Sequence, residues 1–341
     1  MRIEEVHLEG SRDASFAAYL LDPEISYQQV KKRPLMVICP GGGYLIHAIK
    51  EQEPIAMRFL GLGYHAIVLR YSKYFMTRPQ SSEAPIETNP ESAYPGPLVE
   101  LMRAVAWARD NAERFAIDAS RIYVIGFSAG AHLAGSLAEH WADEDLLARI
   151  PDASPEDVKP RGVIMGYPMI GAQELLTRDA SKVPASFDWQ RPHIARALFG
   201  TDAPSSGQLD AIDLRKHIRP DMPRMFVWQT GEDQIVSAAE TAEFASGLID
   251  AGVSCELHIF ESGQHGMALC DEASAGSAKD VDACAAMWVP MVEAWLQKDM
   301  PSKKTRCQHE QGRLVERKVE TWRIMQRQQK GCWRPLAVRE T

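Results

Sequence analysis

The sequence predicts an α/β protein with a mainly parallel central sheet flanked by helices and a cap-like insertion between two late strands. Three observations carry this expectation. Strand-like and helix-like patterns alternate from about residue 35 onward, as they do when crossover helices join parallel strands. The run Gly126-Phe127-Ser128-Ala129-Gly130 has Gly-x-Ser-x-Gly spacing and lies between a β-branched, aromatic strand and a small-residue helix. The chain has 341 residues, 45% of them hydrophobic and 25% charged, enough for one large domain with a sizeable core.

Taken in order, residues 3–21 offer two antiparallel strands at one edge of the sheet, and Leu35-Met36-Val37-Ile38-Cys39 reads as a buried strand. Residues 54–62 form a short helix and residues 66–71 the next strand. Leu98, Leu101, Met102, Val105, Ala108 and Ala112 recur at helical spacing, which predicts an amphipathic helix over 98–115. Strands follow at 121–125, 162–165, 225–229 and 253–260, with helices at 131–138, 238–251 and 281–298. Two stretches break the rhythm. Residues 72–97 carry five prolines, and residues 166–223 are long, with short helical pieces expected only at 193–199 and 211–218. Segments of that length in a compact domain are often lids or binding loops, and the second is expected to cap the site.

Residues 1–300 are expected to form the catalytic domain. Residues 301–341 differ in character: eleven Lys or Arg against four Glu give a net of +7, while residues 1–300 carry −15. This stretch reads as a loosely packed, poorly ordered basic tail. The overall charge of −8 gives no general attraction for nucleic acid. No run of about 18 apolar residues could span a bilayer, and the first residues have no signal-like apolar core, so the expected compartment is the cytoplasm. The six cysteines, Cys39, Cys255, Cys270, Cys284, Cys307 and Cys332, are scattered without C-x-x-C spacing and read as reduced thiols.

A serine hydroxyl is a weak nucleophile at neutral pH, so Ser128 needs a base within hydrogen-bond reach and a carboxylate to orient that base. His265 suits the base, because it lies among the glycines that follow the last strand. Asp233 suits the acid, in the turn after the strand at 225–229, with Glu232 as its local rival. His132 is expected to make a structural hydrogen bond, and His193 alone among the remaining histidines is kept as a substrate contact. Negative charge developing on a carbonyl oxygen needs preorganised donors. Pro40-Gly41-Gly42-Gly43-Tyr44 follows a strand end, so the N–H groups of Gly42, Gly43 and Ala129 are the expected oxyanion donors. No Gly-Lys-Ser/Thr follows the glycines and no His-Glu-x-x-His or paired Cys/His spacing occurs, so neither cofactor nor metal is expected. Phe187, Trp189 and His193 are candidate contacts for the substrate's alcohol portion, and Tyr44 is a further candidate substrate contact.

The chain resembles the bacterial α/β-hydrolase esterase/lipase family that includes acetylxylan esterases and bifunctional feruloyl/acetylxylan esterases. The resemblance rests on Cys39 to Tyr44, Gly61-Leu62-Gly63-Tyr64, Leu69-Arg70-Tyr71-Ser72, the lead from Ile117 into Gly126-Phe127-Ser128-Ala129-Gly130, Gly166-Tyr167-Pro168 and Gly263-Gln264-His265-Gly266. These run in order over about residues 15–298. Cys39-Pro40 stands where a histidine often precedes the glycines, and Ala131 stands where glycine is common. The resemblance implies the α/β-hydrolase fold and a metal-independent serine esterase acting on short acyl esters, acetyl esters of sugars among them. A serine peptidase, a feruloyl-type esterase and a non-catalytic binding scaffold are the alternatives, and a homo-oligomer stays open.

Overall fold

The computed structural model describes residues 1–25, 32–77, 79 and 86–299. Its centre is an eight-stranded sheet: β1 (Arg2–His7), β2 (Ser15–Leu20), β3 (Arg33–Cys39), β4 (His65–Arg70), β5 (Ile117–Phe127), β6 (Gly162–Gly166), β7 (Arg224–Thr230) and β8 (Cys255–Phe260). The spatial order is β1-β2-β4-β3-β5-β6-β7-β8. β1 and β2 are antiparallel to their neighbours, and every pairing from β4 to β8 is parallel. The expected edge pair is therefore present. Burial follows position: β6 is buried throughout and β3 from its second residue on, whereas β1 and β8 at the edges are exposed or half-buried. Strands covered on both faces must be nearly continuous apolar runs, which is how β3, β6 and β7 read in the sequence.

Three helices depart clearly from expectation. The helix expected over 98–115 runs from Gly96 to Asp110, and a separate turn, Ala112–Phe115, follows Asn111. The helix expected at 211–218 begins earlier, at Ser206, where Ser205 and Gln208 form a capping box, and ends at Ala211. Asp213 then accepts from the Arg215 N–H and starts a new single turn, Leu214–Lys216. The last helix begins at Trp288, not 281. Upstream, Asp280 accepts from the N–H groups of Gly276 and Ser277, and Asp282 accepts from that of Ala285. Such local side-chain bonds compete with helix formation.

The insertion between β6 and β7 folds into short helices, the longest Arg191–Phe199. It packs on the proline-rich stretch. Phe75 stacks on Trp189 at 6.2 Å and meets His193 edge-on at 5.2 Å, and the Tyr94 N–H donates to Leu198 O at 3.1 Å. Met1–Val292, which holds the whole sheet, forms one compact unit. The expectation of a loose basic tail at 301–341 lies outside the described residues, as do Cys307 and Cys332. No described helix is long and apolar enough to cross a membrane.

Candidate active site

The C-terminal ends of β5, β7 and β8 bring three side chains together. Ser128 follows β5 and precedes the helix Ala129–His140, with φ +54° and ψ −119°. This is a strained position for a residue with a side chain, and here it lifts the hydroxyl out of the strand-to-helix turn. The flanking glycines act through space instead of through φ. A Cβ on Gly126 would lie 2.0 Å from Gly130 O, and one on Gly130 would lie 2.0 Å from Cys39 O.

His265 Nε2 lies 2.9 Å from Ser128 Oγ, and its Nδ1 lies 2.7 Å from Asp233 Oδ2. A carboxylate only accepts, so Asp233 holds the ring proton on Nδ1 and leaves Nε2 free to accept from the Ser128 hydroxyl. Asp233 is itself fixed, because its Oδ1 accepts from the N–H groups of Ile235 and Val236 at 2.8 and 3.0 Å. Burial pulls the His265 pKa down, but the Asp233 carboxylate, by charge and hydrogen bond, and then Glu51 outweigh it, and the net shift is upward. The rival Glu232 faces elsewhere and accepts from the Gly263 N–H at 3.3 Å.

A cavity of about 250 Å³ opens onto Ser128, with Gly42, Gly43 and Ala129 at one side and Met169, Leu175, Phe187, Ile194 and Val236 forming apolar walls. As the first residue of its helix, Ala129 has an N–H with no intrahelical acceptor, at the positive end of the helix dipole. A second, more open cavity of about 710 Å³ shares His265 and is lined by Glu232, Gln234, Gln264 and Lys279.

Of the expected substrate contacts, Phe187 lines the smaller cavity. The other three do not line either cavity. Trp189 is taken up by stacking on Phe75 and His193 by an edge-on contact with it. Tyr44 is a correction: it is 3% exposed, and its hydroxyl bonds His132 Nδ1 at 2.8 Å behind the site. His132 Nε2 bonds Ile212 O at 2.7 Å, so this histidine makes the structural hydrogen bond expected of it. Among the described residues no group of three or more His, Cys, Asp or Glu side chains is arranged to hold a metal ion.

Two residues beside the site carry no role in the sequence reading. Glu51 is 2% exposed and accepts from the Gly41 N–H and the Tyr167 hydroxyl, each at 2.7 Å. Tyr167 also accepts from the Ala268 N–H at 3.0 Å and meets the His265 ring edge-on at 5.1 Å. A glutamate just before a short helix reads as a solvated first-turn residue, and only the tertiary fold buries it. Tyr167 lies in a quoted motif, but nothing in the chain pairs it with Glu51.

The chain matches the family described as the alpha/beta hydrolase fold over residues 87–269, and it belongs to that family. It is 30% identical over 241 residues to endo-1,4-beta-xylanase B of Butyrivibrio fibrisolvens, covering 71% of this chain and 33% of the xylanase. It is 26% identical over 226 residues to esterase LipQ of Mycobacterium tuberculosis, covering 66% of this chain and 48% of LipQ. The chain thus spans a third to a half of these relatives' lengths. Among solved structures, the acetyl ester-xyloside bifunctional hydrolase of Caldicellulosiruptor lactoaceticus superposes with a TM-score of 0.63 at 26% identity, covering 84% of this chain and 88% of that one.

Proposed function

We propose that the chain is a serine carboxylesterase that cleaves short acyl esters, acetyl esters of carbohydrates foremost, through an acyl-enzyme. The observation that carries this reading is the hydrogen-bonded line Ser128–His265–Asp233 opening into a small, apolar-walled cavity. In the first half-reaction Ser128 Oγ bonds to the ester carbonyl carbon as its proton passes to His265 Nε2. The carbonyl electron pair moves onto oxygen, facing the N–H groups of Gly42, Gly43 and Ala129. Collapse breaks the bond to the alcohol oxygen, which takes the proton back from His265. Water repeats the sequence, releases the acid and restores Ser128.

The size of the acyl cavity supports a short acyl group: about 250 Å³ falls below the ~300–1,000 Å³ of ordinary small-molecule sites. The larger cavity, with its Glu, Gln and Lys lining, suits a polar alcohol such as a sugar. Xylan-directed and acetyl-ester names among the relatives point the same way. A series of p-nitrophenyl esters, run with acetylated xylose, acetylated xylan and a feruloyl ester, tests the reading. Acetyl should exceed decanoyl in kcat/KM by roughly tenfold or more, since each methylene that does not fit is costly. Faster decanoyl or feruloyl turnover would overturn the substrate assignment.

A further inference from the structure

We propose that Glu51 is a positioning residue of the active site, which through Tyr167 locks the oxyanion loop and the histidine loop into one register. The proposal rests on the hydrolase reading above. Its basis is an unbroken line of hydrogen bonds: Gly41 N–H to Glu51 Oε2, Tyr167 O–H to Glu51 Oε1, and Ala268 N–H to Tyr167 Oη. At one end, Gly41 immediately precedes the Gly42 and Gly43 donors. At the other, Ala268 sits three residues after His265.

A carboxylate buried this deeply is costly, and a well-packed apolar side chain would serve a merely structural purpose at less expense. Glu51 is instead held at the reacting groups. A Cβ added to Gly41 would come within 2.8 Å of Glu51 Oε2 and 2.9 Å of Ser128 Cβ, so loop, carboxylate and nucleophile are in close contact. The backbone on the far side is strained as well: Tyr167 has φ +37° and Ala268 φ +53°, conformations that the hydrogen bonds to the Tyr167 hydroxyl help to hold.

Among the described residues no cation bonds the Glu51 carboxylate directly. The charged or titratable groups that face it are His265, Lys50, Tyr167 and Tyr71, and Lys50 is paired with Asp280 at 3.1 Å. Burial raises the Glu51 pKa, while the Tyr167 and Gly41 donors and then His265 and Lys50 oppose that rise. Its negative charge in turn favours protonated His265. The imidazolium that forms in the transition state is therefore stabilised from two sides, by Asp233 along the hydrogen bond and by Glu51 through space. An effect of this kind falls on kcat more than on KM.

Glu100 supplies the control. It is a second buried carboxylate, 4% exposed, which accepts from Ser11 Oγ, Ser72 Oγ and Ser72 N and lines neither cavity beside His265. The test is kcat, KM, melting temperature and the pH profile for p-nitrophenyl acetate with the full chain. The variants are Glu51→Gln, Glu51→Ala, Tyr167→Phe, the Glu51→Ala/Tyr167→Phe pair, Glu100→Gln and Ser128→Ala. Activity needs neutral His265, so it rises as the pH passes the His265 pKa. Because that pKa is raised, the native acid limb lies above the ordinary ~6.5.

Glu51→Gln keeps an acceptor for Gly41 but removes the charge, so the limb moves to lower pH and kcat falls by roughly tenfold or less. Glu51→Ala and Tyr167→Phe lose the register, and kcat falls roughly ten- to a hundredfold with KM within about threefold. The double variant costs no more than Glu51→Ala alone. Glu100→Gln lowers the melting temperature but leaves kcat and the limb in place. If Glu51→Ala does not fold, the near-isosteric Glu51→Gln and Tyr167→Phe decide. Turnover within twofold of native in both, with an unmoved limb, overturns the proposal while the hydrolase reading survives. A native chain no more active than Ser128→Ala overturns both.

Discussion

The floor and the roof of the site are built by different forces. On the floor, hydrogen bonds of 2.7 to 2.9 Å join Ser128 to His265 and His265 to Asp233, and separately Tyr167 to Glu51, and four of the five stand at or just beyond the C-terminal ends of parallel strands. On the roof, Phe75, Trp189 and His193 meet ring to ring at 5.0 to 6.2 Å, where the insertion packs on the proline-rich stretch. A hydrogen-bonded carboxylate or imidazole has essentially one working position. Stacked rings tolerate repacking, because dispersion and area burial are shared over many atoms. The difference teaches that the floor admits one arrangement while the roof can repack, so the two can change independently.

The largest expected effect tests the floor. Ser128→Ala, His265→Ala and Asp233→Asn should each fold normally and lose at least ~10³-fold in kcat, because the three act as a unit. Asparagine in place of Asp233 can turn its amide toward His265 and favour the wrong tautomer, which is why even this small change should be severe. The Ser128→Ala/His265→Ala pair should be no worse than either single variant. If Asp233→Asn stayed near native while Glu232→Gln lost activity, the acid would be Glu232, despite its bond to Gly263.

The roof should respond differently. Trp189→Ala removes a half-buried ring from the Phe75 and His193 cluster, and its expected cost is ~1–3 kcal/mol in stability, read as a lowered melting temperature. Turnover of p-nitrophenyl acetate should remain within about threefold, while the ratio of acetylated xylan to p-nitrophenyl acetate shifts several-fold. A loss in kcat as deep as that of Ser128→Ala would abolish the distinction between roof and floor.

Legibility in the sequence follows the same division. Ser128, Asp233 and His265 each lie next to a strong local signal: a β-branched strand, then a glycine-rich or acidic turn. Alternation of such strands with helices also reveals the parallel sheet and its antiparallel edge. Glu51 and Tyr167 are illegible as a pair because 116 positions separate them and burial alone gives them meaning. The roof is illegible for a related reason. Phe75 and Trp189 sit in segments without periodicity and His193 at the start of a short helical piece, so the sequence supplies aromatic side chains but not their partners. The late start of the last helix escaped for a local reason, since the bonds made by Asp280 and Asp282 depend on which N–H groups the loop turns toward them.

Tyr44 gives the smallest effect on activity and tests where the floor ends. It is adjacent to Gly43 in the proposed oxyanion loop, yet its hydroxyl points away, to His132 at 2.8 Å. Burial holds the His132 pKa down to about 4, so the ring is neutral at working pH, with Nδ1 accepting from Tyr44 and Nε2–H donating to Ile212 O. This pair ties the helix after Ser128 to the insertion. Tyr44→Phe would leave the buried Nδ1 without a donor, at an expected cost of ~1–3 kcal/mol in stability. Because neither ring lines the cavity beside Ser128, kcat and KM for p-nitrophenyl acetate should both stay within about twofold of native. The melting temperature and kcat/KM, measured together, separate the outcomes. A lowered melting temperature with unchanged kinetics places Tyr44 in the scaffold, whereas a raised KM at unchanged stability would return it to the substrate contacts and extend the floor by one residue.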